Sequence, residues 1–119
     1  MIHKAELRIG NYIKFIGKRS FSYKRNEIYK YDESIMIDLL VNLSIDHKDF
    51  DPILLNEDWF LKFGFVKNRA RNYELGDFNI RISDNTAIII YGFAPLAAFE
   101  KMSVHQLQNL YFAITGKEL

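Results

Sequence analysis

The period of hydrophobic and polar positions changes along this chain, and each period predicts an element. Residues 103–118 carry Val104, Leu107, Leu110, Tyr111 and Ile114 on one helical stripe and leave His105, Gln108 and Asn109 to a polar flank. Ser103 with Gln106 makes a capping box, Met102 and Leu107 form the staple around it, and Gly116 stands where a left-handed C-terminal residue is wanted. A shorter helix is predicted after Asn56 as cap: Glu57 and Asp58 favour its positive end, Leu55 and Phe60 repeat the staple, and Gly64 stops it. Ile35, Ile37, Leu39, Val41, Leu43 and Ile45 occupy strictly alternate positions, which predicts a strand with those side chains inside. Met36 and Leu40 imply that part of its second face is also covered.

Residues 7–16 alternate around a Gly-Asn turn and predict a first strand or strand pair, followed by a basic loop over residues 17–26. An acidic bend, 46–52, precedes the short helix. Strands 65–67, 72–75, 78–82 and 87–91 make a meander, with turn residues at Gly76-Asp77 and Ser83-Asp84-Asn85. Pro95 and the small residues near it read as a connection into the final helix. The expected fold is α+β: one domain over 1–119, a twisted antiparallel sheet packed with two capped helices, its N-terminal strands able to curl into a small barrel.

Nearly half of the 119 residues are hydrophobic, and ten Phe, seven Tyr and one Trp supply bulky core material. With no cysteine, disulfides, thiolate zinc sites and cysteine nucleophiles are excluded. No apolar run approaches membrane-spanning length and the first residues contain no signal-peptide core, so a cytoplasmic protein with no membrane contact is expected. A net charge of +1 hides segregation: residues 1–31 hold eight Lys/Arg against two acids, residues 32–58 one against eight, and residues 59–119 seven against five. Such segments either offer a basic surface to an anionic partner or neutralise one another in the fold.

No catalytic constellation emerges. His3, His47 and His105 lack the spacing of a helical metal site, Asp46, Asp49 and Asp51 lack the glycine and terminal glutamate of a calcium loop, and no phosphate-cradling glycine loop exists. No catalytic residue, metal or cofactor is therefore expected. Binding has better support: Lys18, Arg19, Lys24 and Arg25 interleave with Phe21 and Tyr23, cations for phosphates and aromatic faces for unpaired bases. Lys14 and Phe15 precede them. Lys67, Arg69 and Arg71 extend this candidate nucleic-acid or partner-binding surface if the two loops meet. The alternative is a twisted hairpin whose aromatics enter the core and whose cations are solvated. The acids of residues 32–58 offer an opposite possibility, a negative face that imitates nucleic acid toward a basic channel.

Three blocks carry a resemblance: Leu7-Arg-Ile-Gly-Asn11, then Pro52-Ile-Leu-Leu-Asn-Glu-Asp-Trp-Phe-Leu-Lys-Phe-Gly-Phe65, then Val104-His-Gln-Leu-Gln-Asn-Leu-Tyr-Phe-Ala-Ile-Thr-Gly-Lys-Glu118. In words and in order they resemble a family of small proteins encoded by Bacteroidetes phages, prophages and mobile elements, with Asn56, Asp58 and Phe60 standing where that family has Thr, Glu and Leu. The resemblance implies an accessory binding protein rather than an enzyme, in the neighbourhood of anti-CRISPR inhibitors of type VI systems. The implied partner is a host defence effector, an RNA-guided RNase, and/or its guide RNA, met in the host bacterial cytoplasm. The alternatives are an autonomous single-stranded nucleic-acid-binding accessory protein of a phage or prophage, and a small hydrolase or nuclease using scattered Asp and His residues.

Overall fold

A computed structural model of the chain describes every residue except 1, 3, 19–21, 42–44 and 71. In chain order it forms β1 (Tyr12–Phe15), β2 (Ile28–Lys30), α1 (Glu33–Val41), β3 (Phe50–Asp51), α2 (Glu57–Lys62), β4 (Val66–Lys67), β5 (Tyr73–Leu75), β6 (Phe78–Ser83), β7 (Thr86–Tyr91), β8 (Ala94–Glu100) and α3 (Val104–Thr115). Two open antiparallel sheets result, ordered β2-β1-β3 and β4-β5-β6-β7-β8. The architecture is the expected α+β, but the N-terminal strands stay an open sheet and close no barrel.

The five-stranded sheet follows from the meander pattern. Phe78 and Ile80 on β6 and Ala87 and Ile89 on β7 face the C-terminal core, where Phe60 of α2 stacks on Tyr73 at 4.3 Å between centroids and Tyr111 of α3 meets the Phe78 ring edge-on at 5.2 Å. The residues around Pro95 do not form the expected connection: they are β8, paired to β7 with a register shift between Ile89 and Ile90. Proline is tolerated because β8 is the edge strand. Both helix caps form as the sequence requires. Asn56 accepts from the Trp59 N–H, Ser103 and Gln106 exchange the two bonds of a capping box, and Gly116 is left-handed at φ 74°.

The largest correction concerns residues 33–41, which form α1 and not a strand. Asp32 starts the helix: its Oδ1 accepts from the Ile35 N–H at 2.9 Å, and its carbonyl accepts from the Met36 N–H. Ile35 and Leu39, one turn apart, then enter the N-terminal core with Ile13, Phe15, Tyr31 and Phe50. Ile37 and Val41, equally apolar and on the same face of a strand, point outward on a helix and are more than half exposed. Strict alternation contains an i, i+4 pair, so it did not exclude a helix; the capping acid decided it. The part of the predicted strand at 42–44 lies outside the described residues. The acidic bend becomes a 3-10 turn at His47–Asp49 leading into β3, and a Cβ on Gly17 would lie 2.7 Å from Asp49 Oδ1, so glycine is what lets this bend close against β1.

Candidate nucleic-acid interface

The strand register sorts the basic N-terminal segment into an inner and an outer face. In β1, Ile13 and Phe15 are buried, so Tyr12 and Lys14 face the other way; pairing sets Tyr12 beside Lys30, and Lys14 between Ile28 and Asp51. Lys62 arrives from α2 with its Nζ 4.5 Å from the centre of the Tyr12 ring and 4.7 Å from that of Trp59, and Lys30 Nζ lies 5.8 Å over Tyr12. Two cations, Lys30 and Lys62, thus flank a half-buried tyrosine ring, with Lys14 two residues along the same strand face. Sequence reasoning missed Lys30 and Lys62. The signal for Lys30 was the period of two running back from Phe15 across the hairpin; nothing in the sequence announced that α2 would dock on Tyr12.

Lys18, Lys24 and Arg25 are exposed on the β1–β2 connection, which is pinned where Phe15 N–H donates to the Glu27 carbonyl, Asn26 N–H donates to the Phe15 carbonyl at 2.7 Å, and Lys24 N–H donates to the Tyr29 hydroxyl at 2.8 Å. Tyr23 corrects the expected stacking surface. It is only 6% exposed, its ring lies against Phe15 at 5.4 Å, and its hydroxyl donates to Asp38 Oδ2 at 2.6 Å. Burial, and then that carboxylate, push its pKa up, so it remains a neutral core residue and offers no face to a base. Arg19, Phe21 and Arg71 lie outside the described residues. Lys67 lies on β4 of the other sheet, where its Nζ pairs with Glu57 at 3.2 Å, and Arg69 lies in the turn after that strand.

Several acids that could have formed a negative face have local employment. Asp46 and Asp49 make a capping box, each carboxylate accepting a backbone N–H of the same turn. Asp38 holds Tyr23, Asp51 is the strand partner of Lys14, and Glu57 pairs with Lys67. Acids engaged in this way, within their own turn or with a neighbouring side chain, argue against a free negative face that imitates nucleic acid.

The first and last resemblance blocks meet as a clasp. Gln108, 1% exposed, accepts from the Tyr12 N–H and donates to the Gly10 carbonyl, both at 2.9 Å. Asn109 accepts from Asn11 Nδ2 at 2.9 Å and from Arg8 Nη1 at 3.0 Å while donating to the Glu6 carbonyl. Arg8 also pairs with Glu118 and lies 4.0 Å over the Phe112 ring. His105 is equally buried. Its Nδ1 meets Ser103 Oγ at 3.1 Å and its Nε2 meets Glu6 Oε2 at 3.3 Å. Because the Glu6 carboxylate only accepts, Nε2 carries the proton, and in the neutral ring Nδ1 then accepts from the Ser103 hydroxyl. Burial lowers the His105 pKa against the opposing pull of Glu6. The polar flank of α3 is therefore an internal joint.

Among the described residues, no group of three or more His, Asp or Glu is placed to hold a metal, and no helix is long and apolar enough to cross a membrane. The sequence matches no family model, and no curated protein or solved structure matches it.

Proposed function

We propose that this chain is a non-enzymatic binding protein whose β1–β2 hairpin grips the phosphate backbone of an RNA, the guide of a host RNA-guided RNase being the target and inhibition of that RNase the outcome. The observation that carries this reading is the hairpin itself. Lys18, Lys24 and Arg25 stand exposed on its connection, Lys30 and Lys62 lie over Tyr12 on its outer face, and Lys14 shares that strand face. Cations on a framed hairpin meet phosphates with little ordering cost, and an RNA bound this way is recognised by charge more than by sequence. The three sequence blocks supply the defence context by resemblance alone.

The test is salt-dependent binding followed by capture. Anisotropy with a labelled single-stranded RNA should give an affinity that falls with salt, and replacing Lys18, Lys24 and Arg25 by Gln should reduce the log–log slope by roughly 2, at about 0.7 per cation removed. Pull-down of an RNase–guide complex should then lose yield on RNase digestion of the guide. A triple variant that remains folded and binds as the parent does at every salt concentration overturns the reading. Binding to free RNA with no capture of the complex points instead to an autonomous nucleic-acid-binding protein.

A further inference from the structure

Tyr12 differs from the other aromatic rings of the chain in the cations it carries. On the outer face of the three-stranded sheet it shares a side with Lys14, Ile28, Lys30 and Asp51, and the register places Lys30 directly across from it. Trp59 of α2 and Phe63 at its C-cap border the ring at 5.2 and 6.1 Å between centroids, tilted by 52° and 44°, so neither stacks on it. What lies over the ring is the Lys62 ammonium, 4.5 Å from its centre. Phe112 and Tyr73 also carry cations, Arg8 and Lys67, but Glu118 and Glu57 already hold those. Among the described residues no carboxylate pairs with Lys30 or Lys62, and both side chains are exposed. With Lys14 they set three positive charges against Asp51, the one acid in the three strands, so the face is complementary to an anion.

We propose that Tyr12 is a stacking subsite for one unpaired nucleobase, with Lys30 and Lys62 on the phosphates that flank it. The subsite rests on the reading that the hairpin binds RNA, and it narrows the ligand. Charge alone takes duplex and single strand alike, whereas an aromatic side chain stacks on a base that has left its helix. The magnitudes allow the exchange. Lifting Lys62 off the ring gives up a contact worth roughly two- to five-fold in an equilibrium constant at an exposed site, while stacking a base is worth roughly five- to 150-fold. The displaced ammonium then gains a phosphate. Asp51, across from Lys14, repels phosphates from the far end of the face, so base and cations coincide at the Tyr12 end.

Anisotropy with two labelled probes of equal length tests it: oligouridylate, and an abasic strand with the same phosphates. At equal salt the parent should bind the oligouridylate at least about five-fold more tightly. Trp59, the single tryptophan of the chain and a neighbour of Tyr12, should change its emission with the first probe and not with the second. Tyr12→Leu should lose the preference for bases while keeping the parent's salt slope, and Tyr12→Phe should keep both. The comparison of probes on the parent decides the matter even where Tyr12→Leu loses its fold. Three results overturn the subsite while leaving the cationic hairpin in place: equal affinity of the parent for both probes, a folded Tyr12→Leu variant that retains the preference, or a preference with no change at Trp59, which would put the stacked base elsewhere. A parent that binds neither probe in a salt-dependent way overturns the hairpin reading itself, and the subsite with it.

Discussion

The two cores of this molecule contain comparable sets of buried apolar side chains, yet they are assembled in opposite ways. In the C-terminal core each strand from β4 to β8 pairs with its neighbour in sequence, and β5–β6, β6–β7 and β7–β8 join through two-residue turns. The N-terminal core has to bring Phe15 beside Phe50 across the whole of α1. It also buries Tyr23 with its hydroxyl on Asp38, and its helix leaves Ile37, Leu40 and Val41 in solvent. Chain entropy favours the first arrangement, because short loops are closed before the pairing that rewards them, whereas the second commits a long loop first. The difference teaches that the N-terminal core depends on what it is tied to, and the tie is α3, apolar toward one core and polar toward the other.

The strongest way to break this asymmetry is to hollow out each core in turn. Phe15→Ala and Phe78→Ala each remove a fully buried ring and should each cost about 3–5 kcal/mol. Their patterns of damage should differ. Amide exchange in Phe15→Ala should accelerate across β1, β2 and β3 while β6 and β7 keep their protection; Phe78→Ala should deprotect both sheets, because Tyr111 of α3 loses its seat against Phe78 and the clasp fails with it. Uniform loss of protection in both variants would mean that the cores are a single cooperative unit.

Cutting the joint itself is the next test. Gln108→Ala leaves the Tyr12 N–H and the Gly10 carbonyl without their partner and should cost about 1–3 kcal/mol. Beyond that loss, urea unfolding followed at Trp59 and by far-UV dichroism should separate into two transitions, where the parent shows one. A single, merely shifted transition would show that the clasp is one contact among many.

The same asymmetry explains what the sequence revealed. Period, caps and turn residues are local signals, so the meander and both capped helices were legible down to Asn56, Ser103 and Gly116. β8 was not, because Ala94, Pro95, Ala97 and Ala98 have poor strand propensity and pair only because β7 offers them an edge. At α1, Asp32 ahead of the apolar run was a readable cap outweighed by alternation. Of the interface, the cations at 18, 24 and 25 were legible as charge, while the burial of Tyr23 and the arrival of Lys62 over Tyr12 depend on tertiary contacts that no local pattern encodes. The clasp joins Arg8 to Glu118, nearly the two ends of the chain. Its residues stood out as words without showing that the words touch.

A smaller, pH-dependent effect sharpens the picture of the joint. His105 has its pKa lowered in the folded state, chiefly by burial, so as the pH falls below about 6.5 the unfolded chain takes up its proton first. The stability that comes from burying the neutral ring is whole above that value and is lost as the pH falls toward the folded pKa. Denaturant midpoints measured from about pH 7.5 down to 5, above the range in which ordinary carboxylates titrate, should therefore decline in the parent and decline less in His105→Gln. Equal declines would assign the acid sensitivity to other groups.

The smallest expected effect is the most discriminating for the N-terminal core. Ile37 is 54% exposed and Leu39 is 7% exposed, although they are two residues apart and alike in polarity. On a strand the two would share a face, and a carboxylate at either position would be buried and ruinous. On α1 they lie on different sides, so Ile37→Glu should change stability by no more than about 0.5 kcal/mol, whereas Leu39→Glu should force a charge among Phe15, Tyr31 and Phe50 and unfold the N-terminal sheet. Denaturant midpoints for the pair settle it: a large loss at both positions restores the strand and removes the helix from the N-terminal core. Tolerance at position 37 alone fixes the helix, and with it the reason this core leans on α3, since α1 buries only the stripe of Ile35 and Leu39 and leaves Ile37, Leu40 and Val41 in solvent.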